Sequence, residues 1–541
     1  MIAEAQQHLR RATTHARVRA WSAPAYNALV VAAVAFGFAL RITQYAVNRS
    51  LWYDESGLAL NVIDRSAGAL LGPLAFAQAA PPGFLLVEKG LTHLFGRGEY
   101  ALRLFPLLSS LVALALFALL ARRVLGRWTA ALATLLFASA SDLIYYGSQV
   151  KQYSSDVAAT LVLLLVGVLL YERPVRRVRA TAAFAAAGCA VLFVSYAAVF
   201  PAVAIAVVLA GLELGRRPRR VTPPLVVATV WGLASLLVVV FSRHTTGTVR
   251  FAFEESPTAY LHASSNGVLT SLREPPSALA SDIGYLPLPS PLYWAFVLLA
   301  LVGLVSLARR RIVWAGFFVG AAVLTLFASA LHRYPISDRT ILFLVPVAVL
   351  LVAEGSSVTA AFGRRLTGSR HALAAVLAVA VLAVPGWRAL TRLVHPQKHE
   401  EIKSAIAVIR SNWRPGDTLY VSNSAEFALR YYLECDCVDT PRWPFRRTDV
   451  GNAEQSVPLL SRRPNLIVGL APLGGPNSYV TDVRKLEGRR RVWLLYSHVS
   501  NPDELTYLRR ELPRKLAAFG RLRRVFVASG VTLFLYDLRA R

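Results

Sequence analysis

Two adjacent acidic residues, Asp54 and Glu55, occur in the stretch L-W-Y-D-E-S-G-L-A-L-N, shortly after a long apolar run. A carboxylate within hydrogen-bond reach of a hydroxyl can act as a general base. A charge close to hydrocarbon is costly and usually faces a cavity or a partner. Acids are also favoured in the first turn of a helix, and an apolar-periodic segment follows this pair. The pair therefore predicts either a base at a membrane surface or an ordinary helix N-terminus.

Several cations lie at or near the ends of other apolar runs. Guanidinium and ammonium groups stabilise the negative charge that develops on a phosphate leaving group in a poorly hydrated site. The alternative for each is a side chain that extends to the lipid headgroups. The candidates are Lys151, Arg333 and Arg339 at run ends, and Arg103 and Arg41 inside runs. Together with the acids, they predict a site for a phosphate-linked substrate.

The elements that must position these residues are membrane helices. The chain has 541 residues, of which 55% are hydrophobic and 17% charged, and its mean hydropathy is +0.46. Repeated apolar runs of nearly bilayer length predict a polytopic α-helical membrane protein with about 11 transmembrane helices. The predicted spans are residues 26–47, 101–120, 128–144, 157–170, 180–196, 197–214, 225–241, 292–307, 312–331, 340–353 and 372–390.

The arginine clusters predict the topology. They occur between spans, near residues 10–19, 122–127, 173–179, 216–220, 309–311 and 364–370, so the net charge of +28 does not indicate nucleic-acid binding. Short Arg-rich loops stay cytoplasmic. All clusters share one side only if the short apolar run 82–95 does not cross, so we expect an interfacial or re-entrant helix there. The tail 1–25 is then cytoplasmic, the loop 48–100 is external, and the protein is a multi-pass protein of the plasma or inner membrane.

The composition changes after the last span. Helical segments alternate with the strand-like stretches T-L-Y-V-S-N, N-L-I-V-G-L, R-V-W-L-L-Y-S-H and V-T-L-F-L-Y-D-L. Such alternation is typical of an α/β domain. We therefore expect a transmembrane domain over residues 26–390 and a C-terminal extracytoplasmic α/β domain over residues 395–541.

Four stretches carry a family resemblance. They are W-Y-D-E after the first span; P-P-G-F-L-L-V-E-K-G-L-T-H-L-F-G with the following E-Y-A-L-R-L-F-P; A-R-R-V-L-G-R-W; and I-Y-Y-G-S-Q-V-K-Q-Y-S. In this order they resemble the membrane glycosyltransferases of the GT-C fold. Within these, the chain is most similar to the family-39 group, which includes the protein O-mannosyltransferases and the aminoarabinose transferases that modify lipid A.

The resemblance implies a transferase that takes its sugar from a polyprenyl phosphate at the external face. Asp54 occupies the position of the family's catalytic acid in the first loop, and Glu55 lies beside it. Arg333 and Tyr334 in H-R-Y-P match a basic and aromatic position that meets the donor phosphate. The predicted site has Asp54 and Glu55 as catalytic acids; Lys151, Arg333, Tyr153, Arg103 and Arg339 as phosphate ligands; and Gln149, Tyr334, His332 and Tyr53 as further pocket residues.

The second external loop departs from the family pattern. The segment from Gln149 to Tyr153 matches a stretch that often reads S-Q-E-A-R-x-Y, but Val150 stands where an acid is common and Lys151 follows it. The departure weakens the case for a metal held between the two loops and favours direct phosphate binding by Lys151. No cofactor is required, and a divalent metal is left open but not predicted.

The expected partners are a polyprenyl-phosphate-linked sugar donor, a glycan, lipid or protein acceptor, and the bilayer. Topology makes a lipid donor reasonable, because nucleotide sugars are cytoplasmic and the acids are predicted to be external. A transporter or lipid flippase is the main alternative, and it would place ionisable residues near mid-span in two related halves. A non-catalytic envelope-assembly protein is a further alternative, which unaltered glycan transfer by an Asp54→Asn variant would favour.

Overall fold

The computed structural model describes residues 2–172, 178–215, 222–245, 260, 290–336, 338–367, 372–435, 465–469, 476–499 and 502–538. Four of the basic clusters used to predict topology, near residues 10–19, 173–179, 216–220 and 364–370, lie wholly or partly outside the described side chains.

Helices dominate the first 394 residues, as the apolar runs predict. Their bounds are α1 Ile2–Ala46, α2 Tyr53–Asp64, α3 Pro82–Phe95, α4 Glu99–Val124, α5 Arg127–Ser139, α6 Ser141–Tyr146, α7 Tyr153–Glu172, α8 Val178–Val194, α9 Val199–Leu214, α10 Pro223–Thr245, α11 Ser290–Ala330, α12 Val345–Thr367 and α13 Ala372–Val394. Within the described ranges, seven helices are long and apolar enough to cross a bilayer, and α8 and α9 are shorter apolar helices. The polytopic helical fold class is confirmed, and each predicted span lies on a helical segment. The count of eleven crossings stays a prediction.

The longest apolar helix, α11, consists of two segments that meet at Arg311. This residue has the non-helical dihedral angles φ −147° and ψ 62°, so the predicted spans 292–307 and 312–331 meet at a break in the helix. The first segment packs tightly against α12. A Cβ atom added at Gly303 would lie 1.9 Å from the Leu351 carbonyl oxygen, and one added at Gly355 equally close to the Leu299 carbonyl oxygen. Small residues at both positions therefore allow the two backbones to approach.

Basic residues in the last turn of α4 mark one end of the helix bundle. Arg122 donates a hydrogen bond to Asn27 of α1 at 3.2 Å, and Arg123 pairs with Glu172 of α7 at 3.2 Å. The middle of α1, at Asn27, and the C-terminal ends of α4 and α7 therefore lie at the same end of the bundle. The assignment of this end to the cytoplasm stays a prediction.

The first loop contains two helices. Helix α3 spans the predicted segment 82–95 and has 14 residues, so it is about 21 Å long, shorter than the roughly 30 Å hydrocarbon core of a bilayer. Asn61 of α2 ties the intervening chain in place, because its side chain donates to the carbonyl oxygen of Ala75 at 3.1 Å and accepts from the Ala75 N–H at 2.9 Å. The loop is thus an ordered structure.

The C-terminal region contains a five-stranded mixed sheet with the strand order β2-β1-β3-β5-β4. Strand β1 pairs in parallel with β2 and β3, whereas β5 pairs antiparallel with β3 and β4. The strands are β1 Thr418–Val421, β2 Leu466–Val468, β3 Arg491–Ser497, β4 Gly520–Ala528 and β5 Val531–Leu538. Short helices cover the sheet: α14 Ile402–Asn412, α15 Asn423–Glu434, α16 Pro476–Arg484, α17 Pro502–Thr506 and α18 Leu512–Leu516.

Strand β4 is the one element of this sheet that the sequence patterns did not predict. The sequence analysis expects only helical segments between the strands, and Arg521, Arg523 and Arg524 interrupt the apolar pattern of this stretch. The strand lies at the sheet edge, and most of its side chains are exposed. Charged side chains on an edge strand oppose pairing with another chain, so a basic, non-alternating pattern is compatible with a strand here.

The first loop and the C-terminal region share one hydrophobic core. Leu58 of α2 and Phe84 of α3 belong to the same buried cluster as Ile406 of α14, Leu429 of α15 and Trp493 of β3. The sheet and its helices therefore pack against α2 and hold it in place.

Candidate active site

Asp54 lies in the first turn of α2, where the N-cap residue Trp52 supplies no side-chain cap. Its carboxylate is 20% exposed and accepts a hydrogen bond from the guanidinium of Arg339. Burial alone would raise the pKa of Asp54, but the charges of Lys151, Arg339 and His498 hold it below its usual value. The carboxylate is therefore ionised near neutral pH and can accept a proton.

Arg339 lies at the start of the membrane segment that leads into α12, in the 3-10 turn Asp338–Leu344. Its guanidinium lies 5.0 Å from the centre of the Trp52 ring and 5.8 Å from the centre of the Tyr153 ring. Contacts with two aromatic faces orient a planar guanidinium. The side chain remains 24% exposed, so part of it is accessible to a ligand.

Lys151 approaches Asp54 from the segment between α6 and α7, which the sequence analysis calls the second loop. Its ammonium group donates a hydrogen bond to the Gln78 side-chain oxygen at 2.6 Å, and the residue is buried. Burial lowers the pKa of Lys151 to about 8; the charge of Asp54 opposes this shift and that of Arg339 adds to it. The ammonium form is thus favoured near neutral pH but is easily destabilised.

We call Asp54, Lys151 and Arg339 the Asp54 cluster. Its two cations face one carboxylate, so the cluster carries an unbalanced positive charge. A phosphate group would supply the missing negative charge and accept hydrogen bonds from both cations. Among the described residues, no group of three or more His, Cys, Asp or Glu side chains is placed to hold a metal ion.

A small pocket adjoins the Asp54 cluster through Tyr153. Arg41 of α1 lines it, donating to Ser110 Oγ at 2.8 Å and to the carbonyl oxygens of Gly37 and Ala138 at 3.0 and 3.1 Å. The other lining residues are mostly apolar: Ala113, Phe137, Leu143, Tyr146, Ser154, Val157 and Leu342. The pocket is small, with a cavity volume of about 10 Å³, so it gives Tyr153 mostly apolar surroundings and is not itself large enough for a lipid chain.

Glu55, adjacent to Asp54, has a different environment and is 0% exposed. Its carboxylate accepts hydrogen bonds from Arg103 at 3.0 and 3.1 Å and from the Val150 N–H at 2.9 Å, and Arg49 lies 3.7 Å away. Burial would raise the pKa of Glu55, but Arg103 and Arg49 lower it. The expectation that Glu55 is a second catalytic acid does not fit this geometry, because its oxygens are enclosed by protein partners.

Arg103 is correspondingly occupied, and it is buried. Besides Glu55, its guanidinium donates to the carbonyl oxygens of Arg49 at 2.6 Å and Ser50 at 3.2 Å. The sequence-based assignment of Arg103 to the donor phosphate is corrected accordingly. The side chain instead fastens α4 to the start of the first loop and, through Glu55, to the second loop.

Two further predicted residues lie apart from the Asp54 cluster. Arg333 is exposed and makes no side-chain contact with the cluster in the described part of the chain. The Tyr334 hydroxyl donates to the carbonyl oxygen of Thr340 at 2.8 Å, and its ring packs against Phe200 and Phe343. This geometry gives Tyr334 a packing role and leaves Arg333 without a defined ligand site.

The remaining predicted pocket residues face other surroundings. His332 lies against Tyr260, with ring centres 5.1 Å apart. Gln149 is completely buried beside the Glu55 network. Tyr53 faces the C-terminal region, where its N–H donates to Glu400 at 3.2 Å.

Four residues near Asp54 were not predicted as members of the site: Gln78, Trp52, Glu400 and His498. Gln78 is a neutral amide in an irregular loop, and no motif or spacing in the sequence marks it as functional. Glu400 and His498 come from the C-terminal region, nearly 350 residues or more beyond Asp54 in the sequence. The position of His498 immediately after a strand could have drawn attention, because functional residues often lie in loops at element ends.

Comparison with known proteins gives a family match over part of the chain. Residues 79–242, which include Lys151 and Tyr153, match the family model for dolichyl-phosphate-mannose-protein mannosyltransferases. No curated protein sequence matches the chain.

Solved structures extend the likeness to nearly the whole chain. The ArnT protein of Cupriavidus metallidurans, solved bound to undecaprenyl phosphate, matches 95% of this chain and 98% of its own, at 16% identity and a TM-score of 0.50. The oligosaccharyltransferase AglB of Archaeoglobus fulgidus, solved with an inhibitory peptide and a dolichol-phosphate, matches 94% of this chain and 74% of its own, at 13% identity and a TM-score of 0.50. The resemblance seen in the sequence is therefore confirmed: the chain has the fold of the GT-C membrane glycosyltransferases and resembles that group of proteins.

Proposed function

We propose that this protein is an integral membrane glycosyltransferase that moves a sugar from a polyprenyl-phosphate carrier to an acceptor at the external membrane surface. The observation that carries the proposal is the Asp54 cluster. Residues from the first loop, the second loop and the segment before α12 converge on one partly exposed carboxylate. An ionised acid beside two cations is suited to deprotonate an acceptor and to hold a phosphate.

The proposed reaction is a substitution at the anomeric carbon of the sugar. The acceptor hydroxyl attacks this carbon while Asp54 takes the hydroxyl proton. The bond between the anomeric carbon and the phosphate oxygen breaks, and its electron pair stays on the phosphate. The polyprenyl phosphate leaves with one more negative charge, which Lys151 and Arg339 stabilise.

The Arg339 to Asp54 contact has a place in this scheme. Without a substrate, Arg339 pairs with Asp54 and keeps its carboxylate ionised. A bound phosphate would compete for the guanidinium and accept part of its hydrogen bonding. Asp54 would then be released toward the acceptor hydroxyl and become more basic, because a nearby anion opposes a carboxylate's negative charge.

A lipid carrier is supported by the two similar structures, one solved with undecaprenyl phosphate and the other with a dolichol-phosphate. The two cations of the Asp54 cluster lie beside Tyr153, whose other surroundings are mostly apolar. The sugar, and the choice between glycan, lipid and protein acceptors, are not part of the proposal.

Asp54→Asn tests the assignment in the full-length protein in lipid nanodiscs. The donor is the radiolabelled lipid-linked sugar extracted from membranes of the source organism, and the acceptor is a membrane fraction from a deletion strain. We expect transfer to fall by about 10²–10⁴-fold, the usual contribution of a general base. Binding of undecaprenyl phosphate, measured by native mass spectrometry, should persist because Lys151 and Arg339 remain.

Asp64→Asn is the matched control, since Asp64 is a carboxylate at the other end of α2 that pairs with Arg430. It should leave transfer unchanged. Wild-type rates in Asp54→Asn would overturn the base assignment. Absence of transfer by the wild-type protein, together with movement of undecaprenyl phosphate across liposomes, would favour a flippase.

A further inference from the structure

The C-terminal region places a histidine beside the Asp54 cluster. His498 directly follows β3 and has a positive φ of 63°, a conformation that non-glycine residues seldom adopt and that often marks functional positions. Its Nδ1 atom lies 2.6 Å from the carboxylate of Glu400. The side chain of Glu400 is only 1% exposed, whereas that of His498 is 38% exposed.

Glu400 is held from three directions. Besides the imidazole of His498, it accepts hydrogen bonds from the N–H of Tyr53 and from the Ser497 hydroxyl, both at 3.2 Å. A buried carboxylate with several donors has little freedom to move. The orientation of the His498 ring is therefore set by a fixed partner.

The imidazole ring lies over the two aromatic residues that precede Asp54. Its centre is 5.9 Å from the Trp52 ring and 5.1 Å from the Tyr53 ring, in stacked geometry. Burial would lower the pKa of His498, but Glu400 and the charge of Asp54 raise it. The Nε2 atom has no hydrogen-bond partner among the described residues, so a donor at the outer side of the site is available to a ligand.

We propose that His498 is a substrate-binding residue on the acceptor side of the site, where its Nε2 atom hydrogen-bonds a hydroxyl-bearing acceptor and brings its reacting hydroxyl to Asp54. Glu400 is then a positioning residue that acts through the ring. This inference rests on the proposed glycosyltransferase function. It assigns to the C-terminal region a direct part in acceptor recognition.

The arrangement favours the acceptor over the donor. The pocket with apolar walls adjoins the cluster at Tyr153, within the membrane helices, and the two cations near it suffice for a phosphate. His498 approaches from the sheet of the C-terminal region, on the side of α2 that the first loop and this sheet enclose. An acceptor that reaches the site from outside the membrane meets this residue first.

Two substitutions at this position separate acceptor binding from a structural role. His498→Asn keeps a polar group where Nδ1 meets Glu400 but has none at the position of Nε2. His498→Gln can place an amide near the position of Nε2 but loses the contact with Glu400. If acceptor binding is the role, Gln should retain more function than Asn, and a purely structural role predicts the reverse order.

The experiment measures transfer by the full-length protein in nanodiscs, with the radiolabelled lipid-linked sugar as donor and the acceptor membrane fraction at varied concentration. We expect His498→Asn to raise the apparent KM for the acceptor fraction about tenfold, as for one lost hydrogen bond. The KM for the donor and the binding of undecaprenyl phosphate should stay within about twofold of wild type. Glu400→Gln should produce a smaller rise of the same kind. His395→Gln changes an exposed histidine outside the candidate site. It is the control and should leave both KM values unchanged.

The inference is overturned if His498→Asn behaves like wild type, if it raises the donor KM instead, or if Asn retains more function than Gln. In each of these cases the proposed function stands as long as Asp54→Asn abolishes transfer. Absence of both transfer and undecaprenyl phosphate binding in the wild-type protein would overturn the proposed function and this inference together.

Discussion

Asp54 and Glu55 are neighbours on α2, yet their carboxylates have opposite environments. Glu55 is 0% exposed and is enclosed by Arg103, Arg49 and a backbone N–H. Asp54 is 20% exposed and contacts a guanidinium that is itself partly exposed. Successive residues on a helix point about 100° apart, so one acid faces the protein interior and the other faces Arg339 at a partly exposed position.

Within this dipeptide, the environment of Glu55 indicates a structural role, and that of Asp54 fits the proposed chemical role. The hydrogen bonds and ion pairs of Glu55 and Arg103 join α4, the first loop and the second loop. They thereby fix the backbone next to Asp54 and Lys151. The Asp54 cluster has unbalanced positive charge and access to a pocket. An enclosed, fully paired acid contributes to folding. A partly exposed acid beside two cations is suited to accept a proton from a substrate.

Glu55→Gln should produce the largest effect on stability. Removing the negative charge leaves Arg103 and Arg49 buried without a counter-ion, which costs about 3–5 kcal/mol. Thermal unfolding in detergent and the yield of folded protein measure the loss. Asp54→Asn is the control and should change stability by less than about 1 kcal/mol. A Glu55→Gln protein with wild-type stability but no transfer would reverse the roles of the two acids.

Lys151→Gln and Arg339→Gln should each weaken the binding of undecaprenyl phosphate. A hydrogen bond to a charged group is worth about 1.5–3 kcal/mol, which corresponds to roughly 10–150-fold in affinity. Native mass spectrometry at several lipid concentrations measures the change. Arg523→Gln on the edge strand β4 is the control for loss of a positive charge. Equal affinities in all four proteins would remove the phosphate-binding role of the Asp54 cluster.

Binding of undecaprenyl phosphate should also depend on pH. Since burial lowers the pKa of Lys151 to about 8, deprotonation removes its charge as the pH rises from about 7 to about 10, while the phosphate stays doubly charged. Asp54, with its lowered pKa, stays ionised over this range. We expect affinity to fall severalfold in wild type and to fall less in Lys151→Arg, whose charge persists. Identical pH profiles would exclude titration of Lys151 as the cause.

Glu88→Gln should have the smallest effect, and it extends the comparison to a third acid. Glu88 of α3 is fully buried, and both of its oxygens lack hydrogen-bond partners among the described residues. Burial raises the pKa of Glu88 well above its usual value, which favours the neutral form of the side chain. We expect less than about 1 kcal/mol of change in thermal unfolding. A loss as large as that of Glu55→Gln would show that Glu88 is ionised in the folded protein.

Much of the fold follows from local patterns in the sequence. The apolar runs lie on helices, and the length of the segment 82–95 and its charges predict a helix too short to cross, as found in α3. Both expectations for the acid pair are compatible with the structure, because Asp54 lies in a first helical turn and is also partly exposed beside Arg339. Strand β4 was missed because its exposed arginines resemble those of a polar helix.

By itself, the sequence determined the membrane class, the succession of helices and the resemblance to GT-C glycosyltransferases, since these depend on hydropathy, periodicity and short motifs. It could not determine which of 59 lysines and arginines would pair with which acid. The tertiary structure paired Arg339 with Asp54 and Arg103 with Glu55, left Arg333 exposed, and brought Glu400 and His498 against α2. Ion pairs between distant residues are decided by packing of the whole chain, because the free energy of a buried charge depends on every group around it.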